Sequence, residues 1–130
     1  MNADEALTAG IRGEDAAVYA YGVIGAHLSG GSRTRARRAL DAHRLARQQL
    51  QDGLATQIAV APAYDLPFPV TDAASARRLA VRVEEALVPV YADIARTTAA
   101  DARASAVTAA MECATRAVSW GGATSAFPGA

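Results

Sequence analysis

Glu14 and Glu84 stand seventy positions apart, and the same offset pairs Val18 with Val88, Tyr21 with Tyr91, Ile24 with Ile94 and Arg33 with Arg103, all without a gap. It also sets Ile11 opposite Val81 and His43 opposite Cys113. Alanine matches carry no weight in so alanine-rich a chain. A repeated Glu-x6-Tyr on two amphipathic segments does, and it predicts two related helical hairpins. In the first segment Leu7, Ile11, Val18, Tyr21, Gly25 and Leu28 recur at steps of three and four, the spacing of a helix that buries one stripe. Glu14 falls on that stripe. A buried carboxylate is costly unless it is paired, hydrogen-bonded or metal-bound. Glu14 therefore marks either a site or a structural polar group with a hidden partner.

Four helices follow, at about 3–28, 33–54, 72–96 and 99–120, in one domain over residues 1–130. Asn2 and Glu5 form a capping pair for the first, and Ser29-Gly30-Gly31 ends it. Ser32 is the expected cap of the second, whose stripe is Ala36, Leu40, His43, Arg47, Leu50 and Leu54. Thr71 or Asp72 caps the third, with the stripe Ala80, Val83, Glu84, Leu87, Tyr91 and Ile94. Pro89 interrupts its hydrogen-bond ladder and predicts a kink just upstream. Thr98 and Asp101 resemble a capping box for the fourth, which carries Ala106, Ala110, Cys113, Ala117 and Trp120 and stops at Gly121-Gly122. The tail, 121–130, offers Phe127 as an anchor onto the bundle.

Between the hairpins, residues 55–71 hold Pro62, Pro67 and Pro69, which favour extended backbone. At roughly 3.3 Å per residue such a segment reaches on the order of 60 Å, twice the length of a twenty-residue helix. It can run the length of a bundle and start the third helix at the opposite end. Ile58, Val60, Tyr64, Leu66 and Phe68 predict a strap that packs down, as against a loose linker.

The fold class is thus all-α, a four-helix bundle of two hairpins joined by a long crossover. An apolar fraction of 52% argues against disorder, and a formal net charge of zero gives no global field towards nucleic acid or an anionic membrane. No run of apolar residues is long enough for a membrane span, and the acidic N-terminus lacks a signal-peptide layout, so a cytoplasmic location is expected. A single Cys113 excludes an internal disulfide and reads as a small core residue. Arg33, Arg35, Arg37 and Arg38 read as a solvated face, since no interleaved aromatics or nucleic-acid motif accompany them. There is no phosphate loop and no Ser-His-Asp set, so the balance lies against an enzyme.

Helix geometry brings the polar residues level. Glu14 and His43 lie about 24 and 20 Å from the turn at Gly30, and Glu84 and Cys113 are similarly matched about Thr98. Glu14, His43 and Glu84 are therefore candidate ligands for a single iron, manganese or zinc ion. The competing reading is a hydrogen-bonded cluster of Glu14, His43, Glu84, Tyr21 and Tyr91, with Arg47 supplying the positive charge in place of a metal. In a third arrangement, helix rotation leaves some of these groups at the surface. Glu112 falls off the inner stripe and is expected to pair with Arg116 outside.

The stretches EDAAVYAYGVIGAHL, ALDAHRLARQQL and AYDLPFPVTDAASARRLA, with the terminal WGG and AFPG, resemble the DUF4439-like actinobacterial family of ferritin-like domains. The resemblance spans nearly the whole chain. It implies a ferritin-like bundle and brings no established activity. Di-iron members of that superfamily place one Glu on each of two helices and Glu-x-x-His on the other two. Glu14, Glu84 and His43 match that pattern, whereas Leu40, Ala110 and Cys113 stand where Glu, Glu and His belong. The role expected from these residues is a non-catalytic module with a degenerate metal site and no expected cofactor, acting as a homo-oligomer (a dimer) or on a protein partner. Val23, Val60 and Phe68 are candidate interface residues. The alternative is a metal-dependent oxidoreductase or metal-storage protein using Glu14, His43 and Glu84.

Overall fold

The computed structural model describes residues 1–123, and Phe127 lies outside them. The chain forms α1 (Ala3–Ala26), α2 (Gly30–Asp52), α3 (Ala73–Thr97) and α4 (Ala100–Ser119), with no strand among the described residues. The seventy-residue repeat is written into the backbone. Capping boxes open α1 (Asn2 with Glu5) and α3 (Asp72 with Ser75). Left-handed residues open α2 (Gly30, φ 56°) and α4 (Ala100, φ 49°). An arginine ties each turn back, Arg33 Nε donating to the Gly25 carbonyl at 3.2 Å and Arg103 Nε to that of Ala95 at 3.0 Å.

This geometry corrects two expected caps. Ser29, not Ser32, is the N-cap of α2, without a side-chain bond, while Ser32 Oγ accepts from Arg77. Ala99, not Thr98, caps α4, and the Thr98 hydroxyl donates back to Ile94 at 2.7 Å. In both hairpins the left-handed residue makes the turn. At position 30 that residue is glycine, which adopts positive φ freely, but at position 100 it is alanine, whose Cβ is strained there by about 1–2 kcal/mol. Ala100→Gly is expected to raise unfolding free energy by about 0.5–1 kcal/mol once the extra unfolded-state entropy of glycine is subtracted. A urea midpoint that fails to rise would contradict the strain.

α1 packs against α2 and α3, and α3 packs against α4, but no Cα of α2 lies within 8 Å of one on α4. The α1–α2 and α1–α3 contacts are close because α1 gives up side-chain volume: a Cβ on Gly10 would stand 2.8 Å from Ile94 Cδ1 and 2.9 Å from Leu50 Cδ1. α3 is helical throughout, Pro89 included. Two apolar clusters form the core. One gathers Tyr21, Ile24, Leu28, Leu79 and Trp120, the other Leu87, Val88, Tyr91, Ile94 and Cys113. Glu14, His43 and Glu84, each at most 1% exposed, are buried with them.

The crossover packs down as a strap. Leu66, Phe68 and Val70 lie on the first cluster, so Phe68 is core cover, whereas Val60 is 63% exposed. Buried polar groups pin the strap's backbone. Gln51 Nε2 donates to Thr56 O at 2.9 Å and its Oε1 accepts from Ile58 N at 3.0 Å. Asp15 Oδ2 accepts from Ala61 N at 3.0 Å and from the Tyr64 hydroxyl at 2.5 Å. No described helix is long and apolar enough to cross a membrane.

Candidate functional site

His43 is wholly buried and both its ring nitrogens face carboxylates. Nδ1 lies 2.5 Å from Glu14 Oε2, and Nε2 lies 3.0 Å from Glu84 Oε2. The tyrosines cross over: Tyr21 on α1 donates to Glu84 on α3 at 2.5 Å, and Tyr91 on α3 donates to Glu14 on α1 at 2.5 Å. Charge-assisted O–H···O⁻ bonds have this length. The crossing gives the repeat a physical purpose, because each half supplies the donor that satisfies the other half's carboxylate. Tyr21 also stacks on His43, with ring centroids 5.4 Å apart.

Electrostatics follows from the donor inventory. A neutral imidazole presents one lone pair, which would face carboxylate oxygen at one of the two contacts. With both contacts at hydrogen-bond distance to carboxylate oxygens, the geometry favours the imidazolium form of His43. Burial pulls its pKa down, but the hydrogen bonds and charges of Glu14 and Glu84 outweigh burial and push it up to about 9. Burial raises the Glu84 carboxyl, yet His43, Arg116 and Tyr21 together hold it below its ordinary value. Tyr21 and Tyr91 are pushed well above the usual phenol range by burial and by the carboxylates they touch.

The fourth charge was not legible in the sequence. Arg116 Nε donates to Glu84 Oε1 and Oε2 at 3.2 and 3.1 Å. Glu112, its expected partner, stays exposed. A surface pair one helical turn apart is worth about 0.3–0.5 kcal/mol, far less than neutralising a buried carboxylate, so Arg116 turns inward. Arg47, expected to fill this place, pairs instead with Asp15 (Nε to Oδ1, 3.4 Å) and donates to Ile58 O at 3.0 Å, holding the strap. The cluster thus holds two anions and two cations. Cys113 lies alongside, 3.7 Å from an Arg116 nitrogen, and burial raises its thiol pKa well above the ordinary value.

The residues present do not fit a dinuclear metal centre. Leu40, Ala110 and Cys113 offer no bridging carboxylate or second imidazole. The carboxylates are already engaged by Tyr21, Tyr91, His43 and Arg116. Among the described residues no group of three or more His, Cys, Asp or Glu side chains is placed to hold a metal ion. Glu14, His43 and Glu84 are brought together within hydrogen-bond distance.

The profile of a domain of unknown function, DUF4439, matches residues 6–130. The chain belongs to this family. Among solved structures, the DUF4439 chain is similar to the crystal structure of a conserved hypothetical protein, rv2844, from Mycobacterium tuberculosis. The two share 34% identity over 91% of this chain and 94% of that one, with a TM-score of 0.83. No curated protein matches.

Proposed function

We propose that this DUF4439 protein is a non-catalytic, ferritin-like module whose ancestral metal position is filled by its own charges, and that it acts by self-association. The observation that carries the first part is His43, whose two nitrogens are both spent on carboxylates, leaving no lone pair for a metal. Arg116 and the imidazolium supply the positive charge that a cation would otherwise bring.

The surface for association is α4. Val107, Met111 and Val118 are 50%, 52% and 40% exposed and share one face at steps of four and seven residues. Of the other candidates, Val23 and Phe68 are partly buried, and Val60 on the strap and Leu45 on α2 are exposed but do not belong to this stripe. Purified without chelator and then offered iron, manganese or zinc, the protein is expected to carry no stoichiometric metal by elemental analysis. Stoichiometric metal lost on His43→Ala would favour the oxidoreductase or storage alternative. Sedimentation is expected to show a dimer that Met111→Asp dissociates, and a wild-type monomer would end the self-association reading.

A further inference from the structure

The repeat serves as an internal control for surface chemistry. Where the hairpins must solve the same folding problem they agree, as in the caps, the left-handed turns, the Arg33 and Arg103 ties and the crossed Tyr–Glu pairs. On the outer face of their second helices they part company. Arg37, Asp41 and Arg44 of α2 correspond to Val107, Met111 and Ala114 of α4. Folding alone therefore asks for no charge at these positions. α2 nevertheless carries six arginines against two aspartates, in a chain whose formal net charge is zero.

Arg33, Arg37 and Arg44 fall on one face of α2 and line a cleft of about 420 Å³ between α1 and α2. The opposite wall is small and apolar, with Gly22, Gly25 and Ala26, and Leu40, Tyr21 and one carboxylate, Asp41, complete the lining, so three guanidinium groups face a single acid. A Cβ on Gly22 would meet nothing within 4 Å, so this wall stands open. Arg33 spends its Nε on the turn, and Arg44 lies a loose 3.8 Å from Asp41. That leaves a surplus of positive charge over one concave surface. Guanidinium forks match phosphate oxygens in pairs, and the cleft is larger than a bare phosphate, with apolar floor to spare.

We infer that the α1–α2 cleft binds a small phosphorylated organic molecule, its phosphate on Arg37 and Arg44 with Arg33 in support and its organic part on the Gly22–Gly25 wall. The cleft is on the first hairpin, so its occupancy is independent of the α4 face. Phenyl phosphate titrated into the full-length protein at low salt is expected to bind saturably at one site, and more tightly than inorganic phosphate. The double variant Arg37→Gln, Arg44→Gln is expected to weaken it about a hundredfold, roughly tenfold per guanidinium. Both arginines are exposed, so the variant keeps its fold, as circular dichroism would verify. The matched pair Arg78→Gln, Arg82→Gln on α3 controls for general charge and is expected to leave binding intact. No saturable binding, equal affinity for inorganic phosphate, or equal weakening by the α3 pair would each overturn the inference.

Discussion

Glu84→Ala is expected to cost about 3–5 kcal/mol of unfolding free energy, the usual consequence of removing one partner from a buried ion cluster. The loss is large because Glu84 alone accepts from three side chains: Tyr21, His43 and Arg116. Its removal strands a buried imidazolium and a phenol, and releases Arg116, whose side chain is only 25% exposed. Total stability of a small domain is about 5–15 kcal/mol, so the variant should sit near the edge of folding. Two comparisons separate charge from shape. Asp93→Ala removes the partner of Arg96 in a surface pair and should stay within about 0.5 kcal/mol of wild type. Replacing Glu14, His43, Glu84 and Arg116 together by leucine or methionine, with Tyr21→Phe and Tyr91→Phe so that no buried hydroxyl is left without its acceptor, removes charges and partners alike and should cost far less than Glu84→Ala alone. Urea denaturation measures all three, and a Glu84→Ala loss below about 1 kcal/mol would show that the cluster is not buried as described.

Regular spacing made much of this readable in advance. Helical periodicity placed Glu14, Glu84, His43, Tyr21 and Tyr91 on inner stripes, and the structure brings all five together. The capping pair of Asn2 with Glu5 was legible because a cap is a local bond between residues three apart, whereas for α3 the sequence left Thr71 and Asp72 as alternatives and the bond to Ser75 decides for Asp72. Arg116 and Arg47 were not, for a physical reason. A long flexible side chain on the flank of a helix can reach neighbours on either side, so the partner is settled by which carboxylate is most buried, and periodicity carries no such information. Asp15 escaped notice similarly, since it lies beside the inner stripe and its partners come from the strap and α2. The start of α4 was misread because Ala100 occupies a left-handed position that composition assigns to glycine. Only its counterpart, Gly30, seventy residues earlier, could have pointed to it.

Raising the pH from 6 to 9 is expected to destabilise the protein through His43. In the unfolded chain this imidazole titrates near 6.5, and in the folded protein near 9, because Glu14 and Glu84 outweigh the desolvation that opposes its charge. Between those values the folded state binds the extra proton, so stability falls as pH rises. The contribution is complete below 6.5 and gone once the pH has passed the folded value, on the order of 3 kcal/mol in all. Glu84 works in the opposite sense. Its carboxyl is held below the ordinary 4.5, so its contribution is present above that pH and is lost on acidification. Stability should therefore peak between about pH 5 and 6.5, with the alkaline limb belonging to His43. Cys113, Tyr21 and Tyr91 also titrate above their ordinary values when folded, but in the unfolded chain they ionise only near pH 9 and 10, beyond that limb. His43→Gln is consequently expected to lower stability at pH 6 and to flatten the profile between 6.5 and 9. A wild-type profile that stays level to pH 9, or a His43→Gln variant that retains the same decline, would remove the imidazolium from the centre of the cluster and restore a lone pair to it.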